Sequence, residues 1–241
     1  MSFKAKIDYC GLANGTSVLL KSHTEGASNS VATCANDEGD VIDATVYGHV
    51  IDPSNDYAIK SDLTDFDIVL GGVNTVQVGS ANKYFMLKQV SINTSNSGEV
   101  TMSAQAEEVA SATPSRTYTI TLASLKQRNK AQILNSLFTL GGDNAHLQSA
   151  NYTFSVDVNQ TTVDGDRVTW DCYNGKVVAT VTAKQAGSEA PTFTAGTNGG
   201  SVLILSKDNS ETRPDSDYAS VTAEITQYFT ADEAASTSSN S

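Results

Sequence analysis

Apolar and polar residues alternate with a period of two along most of this chain, and that pattern dictates strands. Successive side chains of a strand face opposite ways, so one apolar residue in every two gives a segment a single buried face. Tyr152, Phe154, Val156 and Val158 alternate with polar neighbours, and Phe3, Ala5, Ile7 and Tyr9 do so at the start. The composition agrees: 39% of residues are apolar and only 17% charged, and Ser, Thr, Asn and Gly fill most of the rest. That mixture suits strands and turns better than a helical bundle.

Turn residues divide the alternating segments. Glu38-Gly39-Asp40 predicts a hairpin within Val31 to Val50, with Val41, Asp43, Thr45 and Tyr47 on one side, Ile42, Ala44, Val46 and Gly48 on the other, and an apolar inward face. Pro53-Ser54-Asn55-Asp56 reads as a turn, as do Gly71-Gly72, Asn93 to Gly98 and Val163 to Arg167. Asn174-Gly175 is the strongest two-residue hairpin signal, because both residues tolerate the positive φ that such a turn requires.

One stretch departs from the pattern. Ser124 to Phe138 reads as a helix, with a capping box from Ser124 and Gln127, an apolar stripe of Leu125, Ile133, Leu134, Leu137 and Phe138, and a stop at Gly141-Gly142. The expected fold is therefore mainly β: an antiparallel barrel or sandwich with one flanking α-helix and room for a second small β domain. Ser111 to Ser115 suggests a boundary between a β-rich half (1–110) and a helix-plus-β half (111–230), followed by a polar tail (231–241). The halves echo each other. Each has a glycine-centred turn, Glu38-Gly39-Asp40 or Asn174-Gly175-Lys176, and each ends in a long amphipathic strand, Val100 to Val109 or Ala219 to Tyr228. Duplication explains this, and so does recurring β grammar without shared descent.

Chemistry-bearing motifs are missing. His23, His49 and His146 are isolated, the Gly-rich stretches lack phosphate-loop spacing, and no nucleophile elbow occurs, so neither catalysis nor a cofactor is expected. Asp164 and Asp166 flank Gly165 without forming a calcium loop. Cys10, Cys34 and Cys172 are expected as reduced, partly buried thiols rather than a pair such as Cys10 with Cys34. Tyr84, Trp170 or Tyr173 offers a carbohydrate platform or, more simply, strand packing. No leader pattern and no membrane-crossing apolar run is expected from the sequence. A formal charge of −12 argues against a dedicated nucleic-acid-binding surface, although an acidic wall would keep a passing polyanion from sticking.

The order of an N-terminal strand, Gly/Asn/Asp turns, amphipathic strands, a central helix at Ser124 to Phe138 and a return to strands resembles the tail-tube proteins of long-tailed bacteriophages and related virion proteins. The resemblance is architectural, over about residues 1–230. It implies a structural protein of the virion, assembled in the host cytoplasm as a homo-oligomer of hexameric rings that stack into a tube. The implied partners are other virion proteins, with DNA only as non-specific passing cargo and no membrane. Thr16 to Asn36 would be an intersubunit loop with Leu19 and Leu20 available to bury against a neighbour, and Leu134 joins these two as a candidate assembly residue. Asp62, Asp65, Asp67, Glu99, Glu107 and Glu108 are the acidic candidates for the lumen. A decoration or head-associated protein and a surface adhesin or carbohydrate-binding sandwich are the competing classes.

Overall fold

The computed structural model describes residues 6–35, 37, 41–114, 116–127, 130–163, 166–185, 187, 189–196, 203–205, 210–212 and 219–233. Among them every regular element is a strand: β1 (Val18–Ala35), β2 (Val41–Ile59), β3 (Leu63–Leu70), β4 (Val73–Val78), β5 (Ala81–Ser95), β6 (Thr101–Val109), β7 (Arg116–Leu125), β8 (Phe138–Gly141), β9 (His146–Val163), β10 (Asp166–Lys184), β11 (Thr192–Ala195), β12 (Leu203–Leu205), β13 (Ser210–Thr212), β14 (Ser220–Tyr228) and β15 (Asp232–Glu233).

Two of the sequence expectations fail here. The flanking helix is absent, and no sheet closes into a barrel. The large sheet is an open antiparallel array in the order β1-β2-β6-β5-β9-β10-β14-β12, with β13 also on β14 and β4 on β5. A three-stranded sheet, β15-β7-β3, and the pair β11-β8 complete the fold, with β3 touching β5 and β9, and β7 touching β10. One apolar core joins them, built around Phe85, Met86, Ile92, Tyr152, Phe154, Ile68 and Leu122.

The 124–138 stretch fails as a helix because its backbone groups find side-chain partners, one within the segment and others in the β5–β6 connection and on β9. Ser124 and Leu125 end β7. Lys126 N–H donates to Gln132 Oε1 (2.6 Å) and Gln132 Nε2 donates back to the Lys126 carbonyl (2.8 Å). Ala131 N–H donates to Asn96 Oδ1 at 2.9 Å, and Leu134 N–H donates to the Tyr152 hydroxyl at 3.3 Å. Asn135 and Ser136 then take φ of 49° and 53°, outside the right-handed helical region. Leu134, Leu137 and Phe138 are buried and Ile133 is exposed, so the helix-like spacing belongs to an irregular segment with a turn at Asn135-Ser136.

Three turn assignments also change. Thr16 to Asn36 is mostly strand, since β1 pairs with β2 from Val18↔Ile59 to Ala35↔Val41. Pro53 to Asp56 lies inside β2, opposite Glu25 to Ser22. Asn174-Gly175 is a bulge in mid-strand: Tyr173 pairs with Asp157 and Lys176 with Ser155, leaving two residues opposite one. The actual β9–β10 reversal is closed by Val163↔Asp166. Residues 38–40, 164 and 165 lie outside the described residues.

The register reveals a repeat. In the first half the strands run β1-β2-β6-β5, a hairpin followed by the last strand and then the strand before it; in the second half β9-β10-β14 is followed by β12 and β13 in the same relation. The hairpins match irregularity for irregularity. β1 skips a residue between Leu20 and Ser22 and β9 between Leu147 and Ser149; β2 bulges at residues 48–49 and β10 at 174–175; near the tips, Cys34↔Asp43 followed by Ala35↔Val41 corresponds to Thr161↔Thr169 followed by Thr162↔Arg167. Ala58↔Thr101 corresponds to Lys184↔Ser220, Asn93↔Thr101 to Thr212↔Ser220, and Leu87↔Ala106 to Leu205↔Ile225. Thr101-Met102-Ser103-Ala104-Gln105 and Ser220-Val221-Thr222-Ala223-Glu224 keep matching chemistry at matching places. The halves join where β5 pairs with β9, from Gln89↔Ser155 to Ser95↔Ser149.

Candidate assembly surface

Both hairpins outrun the sheet. Pro53 has no N–H, and the β2–β6 ladder ends at its neighbour, with Ser54↔Gln105 the last pair. Beyond it β2 keeps only β1, so the two strands leave as a two-stranded ribbon. At its root the Ile51 N–H donates to Glu108 Oε2 at 3.1 Å. Val31, Val41 and Ile42 are 57%, 61% and 64% exposed. Val41 and Ile42 are adjacent and face opposite ways, so the expected apolar inward face is instead a ribbon with exposed apolar residues on both sides. Single exposed apolar residues are ordinary; uncovered ones on both faces call for a covering surface. The second ribbon, beyond Ser155↔Lys176, carries exposed Val163 and Val168 near its tip.

The sheet also ends in two free edges. Among the described residues β1 pairs only with β2, and β12 and β13 only with β14. An unpaired edge is a row of unmatched N–H and C=O groups able to template another strand.

The N-terminal segment is fastened to the first half through Asp8. Its Oδ1 accepts from Gly11 N–H (2.9 Å), the Tyr57 hydroxyl (2.6 Å) and Asn55 Nδ2 (2.9 Å), its Oδ2 accepts from Ala13 N–H (2.8 Å), and its carbonyl accepts from Asn74 Nδ2 (2.7 Å). Tyr9 donates its hydroxyl to Glu25 on β1. Burial first, then the acceptor Glu25, pushes the Tyr9 phenol up, and burial does the same for Tyr57. This network went unseen in the sequence because its members are spread over four segments, and the Pro53–Asp56 turn signal hid the role of Asn55.

The acidic candidates separate into distinct places. Asp65 and Asp67 are exposed on β3, outward of the small sheet. Asp65 takes a φ of 50°, and around it β3 changes which residues face in, from Leu63 to Ile68 and Leu70. Asp67 accepts from Thr121 Oγ1 at 2.5 Å. Asp62, just before β3, accepts from Gln127 N–H at 2.9 Å and Lys126 Nζ at 3.0 Å; those two donors, the backbone one foremost, hold its carboxyl below the usual range. Asp232 on β15 joins the same small sheet, accepting from Thr119 N–H at 2.9 Å. Glu99 is exposed in the β5–β6 connection. Glu107 and Glu108 are committed to ion pairs at 2.8 Å with Lys88 and Lys83, and Glu107 also accepts from Gln160. The six candidates therefore do not share one face.

Leu134 is buried within its own chain, Leu20 packs partly against the core, and Leu19 is half-buried. All three cysteines are free thiols, with Cys34 exposed and Cys10 and Cys172 buried. Burial pushes the Cys10 thiol up to about 12 and the Cys172 thiol up to about 11. Trp170 is buried, Tyr84 is half-buried and only Tyr173 is exposed, which leaves no aromatic platform of the three together. Among the described residues no three His, Cys, Asp or Glu side chains gather as metal ligands, and no helix is long and apolar enough to cross a membrane. The His49 side chain and the pair Asp164 and Asp166 lie outside the described side chains.

No protein-family model matches this sequence, and no curated protein is significantly similar to it.

Proposed function

We propose that this chain is a self-assembling structural subunit of a virion, one whose copies form rings that stack as a tail tube around an acidic passage for DNA. The observation that carries the reading is the pair of projecting ribbons, with Val31, Val41, Ile42, Val163 and Val168 uncovered, on a sheet whose two end strands have no outer strand partner among the described residues. Copies of the same chain would cover such surfaces. Each chain brings two equivalent four-strand units to the ring, so the sixfold repetition expected of a tube is counted in units or in chains.

The passage has a physical basis in charge. With a net charge of −12 the assembly repels a polyanion, and Asp65, Asp67 and Asp232 on the small sheet are the group best placed to line a surface, whereas Asp62, Glu107 and Glu108 are paired with Lys126, Lys88 and Lys83. Other virion proteins would cap the tube, and assembly would take place in the host cytoplasm.

The test is assembly followed by DNA retention. Purified protein concentrated at neutral pH is expected to sediment as rings and tubes with an open channel in negative-stain images. Asp65→Lys with Asp67→Lys is expected to raise DNA retention at low salt and lose that gain at high salt. A protein that stays monomeric at every concentration, or tubes without a channel, would overturn the reading; a retention unchanged by these substitutions would refute the acidic lining alone.

A further inference from the structure

We infer that the joint between the two halves of one chain is the template for the joint between two chains: β13 of one copy pairs antiparallel with the outer edge of β1 of the next. The partner is a second copy of this chain, bound head to tail. The inference names the contact used in the proposed assembly but rests on the register, which is independent of any virion role.

β9 is the counterpart of β1, since both open a hairpin with the same three register irregularities. β5 is the counterpart of β12 and β13, since both flank the matching strands β6 and β14 in the same register. Within the chain, the counterpart of β1 lies on β5: Ser91↔Thr153, Ile92↔Tyr152 and Asn93↔Asn151. The remaining members of the same pair, β13 and β1, stand at opposite ends of the sheet, and among the described residues no strand pairs with their outer sides. A repeat that satisfies one such junction internally leaves its first and last strands complementary to each other.

Transferring the register through the matched positions places Ser210 opposite Gly26, Glu211 opposite Glu25 and Thr212 opposite Thr24 across the chain boundary. Edge-strand addition of this kind gains main-chain hydrogen bonds, and because the two edges differ the contact is heterologous, so it propagates until it closes as a ring or continues as a filament. Within one chain the two edges are not paired with each other, and seven strand spacings separate them along the sheet path, roughly 34 Å at the usual separation between strands.

The test is a cysteine pair, Thr24→Cys with Thr212→Cys, in a Cys34→Ser background that removes the exposed native thiol. Opposed strand residues sit within disulfide reach. Oxidation of the assembled double variant is expected to give a ladder of covalent multimers on a non-reducing gel, and neither single variant should give more than dimers. Assembled particles that yield no ladder would overturn this joint while leaving self-assembly standing. A cross-linked monomer, or dimers from Thr24→Cys alone as abundant as those from the pair, would also overturn it. Failure of the parent background to assemble at all would remove the self-assembly reading and the joint together.

Discussion

The Tyr118 ring occupies the space in which a side chain at position 175 would begin: a Cβ on Gly175 would stand 2.3 Å from Tyr118 Cδ1 and 2.5 Å from Cγ. The contact ties the small sheet to the bulge in β10, and the Gly175 carbonyl there accepts from Phe229 N–H at 2.7 Å. Gly175→Ala is expected to destabilise the fold by about 1–3 kcal/mol, the range for overpacking a filled site. Trimming the ring with Tyr118→Ala should make the second substitution nearly free, a coupling that urea unfolding of the single and double variants would read. Additive losses would mean that the ring and the glycine do not constrain each other.

Leu134 is 1% exposed although it lies in an irregular segment. Leu134→Ala should cost about 2–5 kcal/mol and Leu134→Asp more, because the carboxylate would have no hydrated position. Urea midpoints of purified variants check this. A wild-type midpoint for the aspartate variant would place residue 134 at the surface.

The thiols give a pH dependence with a definite sign. An unfolded thiol titrates near 8.5, while Cys10 and Cys172 in the fold are raised to about 12 and about 11. Below the unfolded value both states hold the proton and the stabilisation is complete. As pH climbs toward the folded values the unfolded chain ionises first, so stability falls. The urea midpoint should therefore decline above about pH 8.5, and less steeply in a Cys10→Ala variant than in the parent. At pH 8 a thiol reagent should modify Cys34 quickly and the other two only on unfolding; rapid reaction of all three would contradict their burial.

The first ribbon can be removed at its root. Joining Gly26 to Asp52, which pair directly, through a two-residue Asn-Gly turn deletes residues 27–51 and keeps the ladder below them. The shortened protein is expected to retain a β-type circular dichroism spectrum and cooperative unfolding, yet to form no tubes by electron microscopy. Tubes of normal length and stability would show that the ribbon is dispensable.

Strands whose partners cover one face were legible in the sequence, because burial imposes the alternation directly: Tyr152, Phe154 and Val156 on β9 are inward as read. Signals that depend on context misled. Asn174-Gly175 has the chemistry of a tight turn, and a bulge uses the same permissive backbone; Pro53 marks where a ladder ends and not where the chain reverses. The 126–137 segment has helical spacing, but Gln132, Asn96 and Tyr152 satisfy its backbone first. The echo between Val100 to Val109 and Ala219 to Tyr228 was real in register, whereas Asn174-Gly175 sits at a bulge of β10 and its sequence counterpart Glu38-Gly39-Asp40 lies outside the described residues. Of the acidic candidates, only position in space could separate the outward Asp65 and Asp67 from Glu107 and Glu108, whose lysine partners lie on a neighbouring strand.

A cryo-electron microscopy reconstruction of the particles formed by the purified chain decides how copies join. Rings built head to tail from copies of this chain are expected, stacked around an open channel whose lining carries more Asp and Glu than Lys and Arg. A monomer at all concentrations, or a face-to-face assembly that leaves both sheet ends uncovered and encloses no channel, would contradict it.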